Sequence, residues 1–305
     1  MHHFSFPEKS LLLALIIITL FSFSFEIFKR FKIVLKGTGS FPTDKIIKRL
    51  IRVFNEFIMQ KKVLQQRFIP GLMHAFVFWG FMAFSLITID HFLRGLNLYL
   101  FSDSIRYYYS IFLGLPWAIL VLIGILYLAY RRFIIKPKFL GEKVSYTSGI
   151  VALFISLLML TYIVDTYWII NNIKPQNLLY KSIWWSHAFM ILGFLILIPR
   201  SKHLHLVLSP INIFFKPFVN PDHRPIPIDM EGDESALESL LGDMSKLTKN
   251  QTLDIFSCVE CGRCTEVCPA GINITDNAII PLKERVVTEY YDPLAMIARK
   301  LGLKT

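Results

Sequence analysis

Five long apolar stretches, 11–28, 70–92, 109–130, 147–170 and 183–198, alternate with polar loops through the first two thirds of the chain. Each approaches the ~20 apolar residues with which a helix crosses a bilayer while satisfying its own backbone hydrogen bonds. The last is shorter and reaches that length when its helix continues past Pro199. A water-soluble bundle of buried helices is the rival reading, and the recurrence of length with missing charge in every stretch argues against it. After Ser209 the pattern changes: Pro210, Pro217, Pro221, Pro225 and Pro227 favour extended backbone, so a spacer is expected as far as Gly232. An acidic run follows (Asp229, Glu231, Asp233, Glu234, Glu238, Asp243), which reads as a solvated face. A short helix is expected over 250–256 and a longer one over 277–301. The fold expected is an all-α membrane protein: a five-helix bundle over 1–208, a Pro-rich and acidic linker over 209–249, and a small helical-ferredoxin-like segment over 250–305.

Charge sets the orientation. The loop from Lys29 to Arg67 carries eleven Lys and Arg, and the loop after the third stretch carries five (Arg131, Arg132, Lys136, Lys138, Lys143). The loops after the second and fourth carry two each (Arg94 and Arg106; Lys174 and Lys181). Positive charge marks cytoplasmic loops, which puts the amino terminus outside and everything after the fifth span in the cytoplasm. Tyr99, Tyr107, Tyr108, Trp168, Trp184 and Trp185 then fall at the outer interface, where amphipathic rings sit. The first stretch has neither a basic start nor a small-residue cleavage site, and reads as a retained anchor in the cell membrane rather than a signal peptide. Composition agrees: 54% hydrophobic residues, 27 Phe and a mean hydropathy of +0.50 exceed what soluble domains carry. Residues 1–220 hold 24 Lys+Arg against 8 Asp+Glu, and residues 221–305 hold 9 against 14. Topology and anionic lipid explain that basic excess, and no nucleic-acid partner is read from it.

All four cysteines lie in one run, Cys258, Cys261, Cys264 and Cys268, followed by Pro269. C-x2-C-x2-C-x3-C-P is the spacing with which one loop wraps a 4Fe–4S cubane. Gly262 and Gly271 stand where the chain must bend tightly against sulfide. Zinc sites take two pairs separated by a longer loop, and disulfides belong to oxidising compartments, so iron–sulfur is the expectation.

Four histidines sit at matched depths on two antiparallel spans. The second offers His74 at its inner end and His91 at its outer end; the fifth offers His187 outside and His205 inside. Eighteen residues separate His187 from His205, five turns of about 3.6, so both would point one way about 27 Å apart with His203 nearly opposite. Neutral imidazole from each of two helices is how a bundle clamps b-type haem, which makes His74 with His205 an inner pair and His91 with His187 an outer pair. The seventeen residues from His74 to His91 leave those two about 100° apart on an ideal helix. A histidine taken alone is more often a structural hydrogen-bonding group. Asp90 and Asp165, near outer helix ends, read as solvated caps, and no interrupted helix pair suggests a transporter.

The five spans, His74, and the stretch from His187 through Pro199-Arg-Ser-Lys-His-Leu-His205 resemble the gamma subunit of respiratory nitrate reductase, a quinol-oxidising cytochrome b. The stretch from Thr248 through Cys264 is similar to the iron–sulfur subunit of heterodisulfide reductase and its membrane-fused relatives. That resemblance implies His74 and His205 as inner-haem ligands and His187 as one outer ligand. Phe84 stands where the family places the other, leaving His91 as a substitute or the outer haem absent. It also implies a second cysteine run, supplied by further C-terminal domains or a cytoplasmic partner. The function expected is a membrane electron-transfer subunit of a respiratory oxidoreductase linking the quinone pool, through b-type haem, to the cubane and a redox partner, with quinone near Arg67 and His74. The alternative is a haem-free anchor that docks a soluble iron–sulfur oxidoreductase.

Overall fold

The computed structural model describes residues 4–140, 146–173, 175–218, 247–270 and 272–291. The helices are, in chain order, α1 (Phe6–Lys36), α2 (Ile46–Val53), α3 (Lys61–Gln66), α4 (Phe68–Gly95), α5 (Asp103–Tyr109), α6 (Leu115–Tyr130), α7 (Tyr146–Ile170), α8 (Asn177–Leu197), α9 (His205–Phe215), α10 (Lys249–Ser257), α11 (Arg263–Glu266) and α12 (Ile280–Tyr291). Among the described residues there is no strand, only a single parallel bridge between Thr38 and Thr248. Among the described residues five helical segments are long and apolar enough to cross a membrane: Phe6–Lys36, Phe68–Gly95, Asp103–Ile135, Tyr146–Ile170 and Asn177–Arg200. All five apolar stretches of the sequence fall inside them. Their outward faces are apolar, with Phe21 and Phe112 largely exposed, as helices facing lipid require. The protein is an all-α membrane protein.

The chain divides into two units. The first comprises Met1–Ser24, Gln60–Lys138 and Glu142–Ile198. Within it α4 packs on α6, α6 on α7 and α7 on α8, and the start of α1 packs on α8 through Leu12, Trp184 and Ala188. Small residues let α4 and α6 meet closely: a Cβ on Gly80 would strike Val121, and one on Gly124 would come within 2.6 Å of the Met73 carbonyl. The helix from Asp103 to Tyr130 is interrupted by a π turn, Ser110–Gly114, ahead of Pro116, whose missing N–H breaks the regular ladder there.

The second unit comprises Phe25–Met59, Phe139–Gly141 and Pro199–Thr305. Its core joins Ile33 and Val34 of α1, Leu204, Leu208 of α9, Leu253 and Phe256 of α10, and Val286 of α12. Arg49 of α2 is 1% exposed and donates to the carbonyls of Asp44, Phe214 and Lys216 and to the Asp44 carboxylate, at 2.6–3.0 Å. It thereby satisfies carbonyls that the end of α9 leaves without intrahelical donors.

Three expectations are corrected here. The fifth span does not continue as one α-helix to His205: α8 ends at Leu197, 3-10 turns cover Ile198–Arg200 and Lys202–Leu204, and α9 begins at His205. Ser201 lies between those turns in extended backbone and caps the second through His203 N at 3.2 Å, a restart that Pro199 invites. Pro210, expected in a spacer, lies inside α9, where the packing of Leu208, Val207 and Ile211 outweighs the lost hydrogen bond. Asp90 is 2% exposed rather than solvated. The acidic run and the continuation of the last helix beyond 291 fall outside the described residues.

Arg49→Met should destabilise the second unit by about 2–4 kcal/mol, because it orphans several buried carbonyls, while Arg49→Lys should recover part of the loss. Thermal unfolding of both variants in detergent, beside the parent chain, measures this.

Candidate functional site

The cysteine loop is held at both ends. Before it, α10 opens with a reciprocal cap in which Gln251 N donates to Thr248 Oγ1 at 3.2 Å and Thr248 N donates to Gln251 Oε1 at 2.9 Å. Cys258 follows Ser257 in extended backbone, and Glu260 and Gly262 turn left-handed at φ 54° and 74°. A Cβ on Gly262 would meet the Phe139 carbonyl, so the loop between the third and fourth spans lies against the cysteine loop and only glycine fits there. Behind the loop, Lys283 Nζ donates to the Cys258 carbonyl at 2.7 Å and to Glu260 Oε1 at 2.9 Å. Cys264 Sγ lies 3.4 Å from Thr275 Oγ1, which is also 3.0 Å from Thr265 Oγ1. Burial pushes the Cys258 thiol above its ordinary value, so binding iron must displace a proton held there.

All four cysteines are free thiols. Among the described residues no three His, Cys, Asp or Glu side chains are drawn round one point. What fits a cubane is the donor set and its carrier: four thiols in the C-x2-C-x2-C-x3-C-P order, left-handed turns at Glu260 and Gly262, and a cation bonded to the first ligand's own peptide. Gly271 lies outside the described residues.

A second site lies in the first unit, where α4 ends and α8 begins. A small, partly open cavity is lined by residues that include His91, Arg106, Thr161, Tyr162, Asp165 and His187. The rings of His91 and His187 stand 4.9 Å apart at 56°, and His91 stacks on Trp184 at 4.6 Å. His187 Nδ1 is 2.7 Å from Thr161 Oγ1, which orients the ring and leaves Nε2 for another partner. Nε2 of His91 is buried with no hydrogen-bond partner. Arg106 pairs with Asp165 at 2.9 Å. Asp90 accepts from Arg94 at 2.6 Å and from the backbone N–H groups of Leu100 and Phe101. Asp90, Arg106 and Thr161 carried no functional weight in the sequence; an acid and a base within one apolar helix pair was the signal available.

The structure therefore brings His91 and His187 together, as the outer pair expected. Trp184, expected at the interface, is buried, stacked on His91 and packed with Phe4, Leu12 and Ala188. His74 is half-buried on α4 in the first unit, and His205 belongs to the second. His205 Nδ1 is 2.8 Å from the Lys202 carbonyl, and burial holds its imidazole below the ordinary range. The rings of His203 and His205 lie 6.1 Å apart, so the opposed directions expected of one unbroken helix do not hold.

Residues 230–273 match the family described as a 4Fe-4S dicluster domain. The chain is 30% identical to the probable iron-sulfur-binding oxidoreductase FadF of Bacillus subtilis over 73% of its own length and 34% of that protein's. It is 24% identical to the EtfAB:quinone oxidoreductase of Syntrophomonas wolfei over 87% of its own length and 41% of that protein's. The chain thus spans about a third to two fifths of the relatives it matches. No solved structure matches. The chain is a helical membrane protein similar to iron–sulfur oxidoreductases, and its cysteine run lies in a 4Fe–4S segment.

Gly262→Ala should cut bound iron and acid-labile sulfide well below the parent's content, since left-handed backbone costs a β-carbon residue about 1–2 kcal/mol before the overlap with Phe139 is added. Lys283→Met should keep the cluster but shift its reduction potential negative, because it removes a cation beside a ligand. Iron and sulfide assays and an EPR-monitored redox titration read the two outcomes.

Proposed function

We propose that this chain is the membrane electron-transfer part of a respiratory oxidoreductase, exchanging electrons with the quinone pool and with a redox partner through a 4Fe–4S cluster. The observation that carries the reading is the union in one chain of five bilayer-length helices with a cysteine run in a segment matching a dicluster family. The relative whose name joins EtfAB to quinone supports a quinone partner. The family's dicluster character supports a second cluster, supplied by further domains of a longer protein or by a partner subunit, and the cysteine before Pro269 is the ligand such pairs share crosswise. Positive charge on alternate loops supports a cytoplasmic position for the cluster segment in the cell membrane.

Haem b belongs to this proposal. Nε2 of His91 is a buried donor without a partner, and His187 is oriented by Thr161 with its own Nε2 left over, which is the donor chemistry haem iron takes. Bound there, haem would supply a one-electron carrier within the membrane. Arg106, fixed by Asp165, brings positive charge to the same cavity, suited to a propionate. His74 and His205 are proposed as the inner ligands on the resemblance to nitrate reductase gamma subunits. Arg67 and His74 lie seven residues apart, about two helical turns, and are the proposed quinone-facing groups.

One observation favours the haem-free anchor: the His91 ring fills its space against Trp184 and His187. A reduced-minus-oxidised spectrum of the purified chain separates the readings. The haem reading expects b-type bands, weakened by His187→Ala and by His91→Ala, with His205→Ala removing a further share and His203→Ala sparing all of it. An anchor shows no bands in the parent chain.

A further inference from the structure

α2 continues without a break into the turn Phe54–Ile58. At about 100° per residue, Ile46, Ile47, Leu50, Ile51 and Phe54 share one face, with Arg49 and Arg52 on another. The apolar face is the outward one: all five of its side chains are exposed, Ile47 by 74%. The arginine face turns into the protein. Arg49 is bonded to α9 and to Asp44, and Arg52 donates to the Lys216 carbonyl at 2.7 Å with its guanidinium 3.8 Å from the Phe218 ring. These bonds fix the helix's roll, so the apolar face cannot turn inward. A surface helix of a water-soluble protein has the opposite polarity.

We infer that α2 lies in the plane of the membrane interface, its Ile, Leu and Phe face in the acyl boundary of the bilayer that holds the spans. The occupant follows from what surrounds the face. The unit that contains α2 also contains the last turns of the membrane helix α1, whose Phe28 and Leu35 likewise point outward. Exposed Lys48 fringes the apolar face as a cation for anionic head groups, while Lys45 turns to Asp44 at 3.9 Å and to the Phe218 ring on the arginine side. The loop thereby anchors the second unit, and with it the cysteine run, at the bilayer surface by a contact separate from the spans.

Tryptophan fluorescence of the full chain in lipid nanodiscs tests this, with I47W and K48W compared with the parent. Discs are made of phosphatidylcholine with plain or brominated acyl chains, with and without phosphatidylglycerol. The inference expects I47W to add blue-shifted emission that loses more than about half of its intensity on brominated lipid, while K48W emission is quenched far less. Phosphatidylglycerol should deepen the quenching of I47W, and K48E should weaken that increment. Emission from I47W that aqueous iodide quenches and bromine does not would overturn the inference. Blue-shifted emission insensitive to both would also overturn it, by showing that protein, from a second copy or a longer chain, covers the face. Iron content at the parent level in each variant confirms that the chain folded.

Discussion

A backbone N–H or C=O in hydrocarbon has no solvent to turn to, and each unpaired group costs several kcal/mol. That constraint makes the spans of the first unit helical, and it holds the polar side chains within them to the same demand. Glu8 pairs with Lys181 at 2.8 Å, Asp90 with Arg94, Arg106 with Asp165, and Thr161 with His187. These pairs gather towards the end where α4 finishes and α8 begins, and the buried side-chain atoms there without a hydrogen-bond partner, among the described residues, are His91 Nε2, Tyr162 Oη and Thr166 Oγ1. In a low-dielectric setting such an atom is costly unless a ligand takes it up.

The second unit solves a different problem. It must hold a loop of four thiols steady with little secondary structure of its own. A capped helix fixes one end, Lys283 ties the first cysteine's peptide to α12, and the Phe139 backbone closes over Gly262. The core beneath, from Ile33 to Val286, joins the end of the first span to the helices flanking the cysteines. Arg49 completes the end of α9 and fixes the roll of α2 in one set of hydrogen bonds, so the stability of this unit and the way it presents an apolar face outward share a cause.

The five spans were legible because length and apolar composition are local properties, and the metal-ligand spacing was legible for the same reason. Gly262 was legible as a bend, though the carbonyl that makes it obligatory comes from a loop more than a hundred residues away in sequence. What escaped the sequence was set by packing. Pro199 and Pro210 swapped roles, the first ending a helix expected to continue and the second sitting inside one. Asp90 and Trp184 were given to water and interface by their positions near helix ends, but Arg94 and His91 drew them inward. The meeting of His91 with His187 depends on how α4 and α8 cross, which the spacing along either helix does not contain.

The central claim is that electrons pass between quinone in the bilayer and the cubane bound by Cys258, Cys261, Cys264 and Cys268. The most direct measurement takes the anaerobic chain in lipid, reduces its cluster chemically, removes the reductant and adds oxidised quinone while the cluster's EPR signal is followed. The account predicts that the signal disappears as quinol forms in proportion. A cluster that persists in the reduced state before quinone, yet is oxidised at once by ferricyanide, would contradict it.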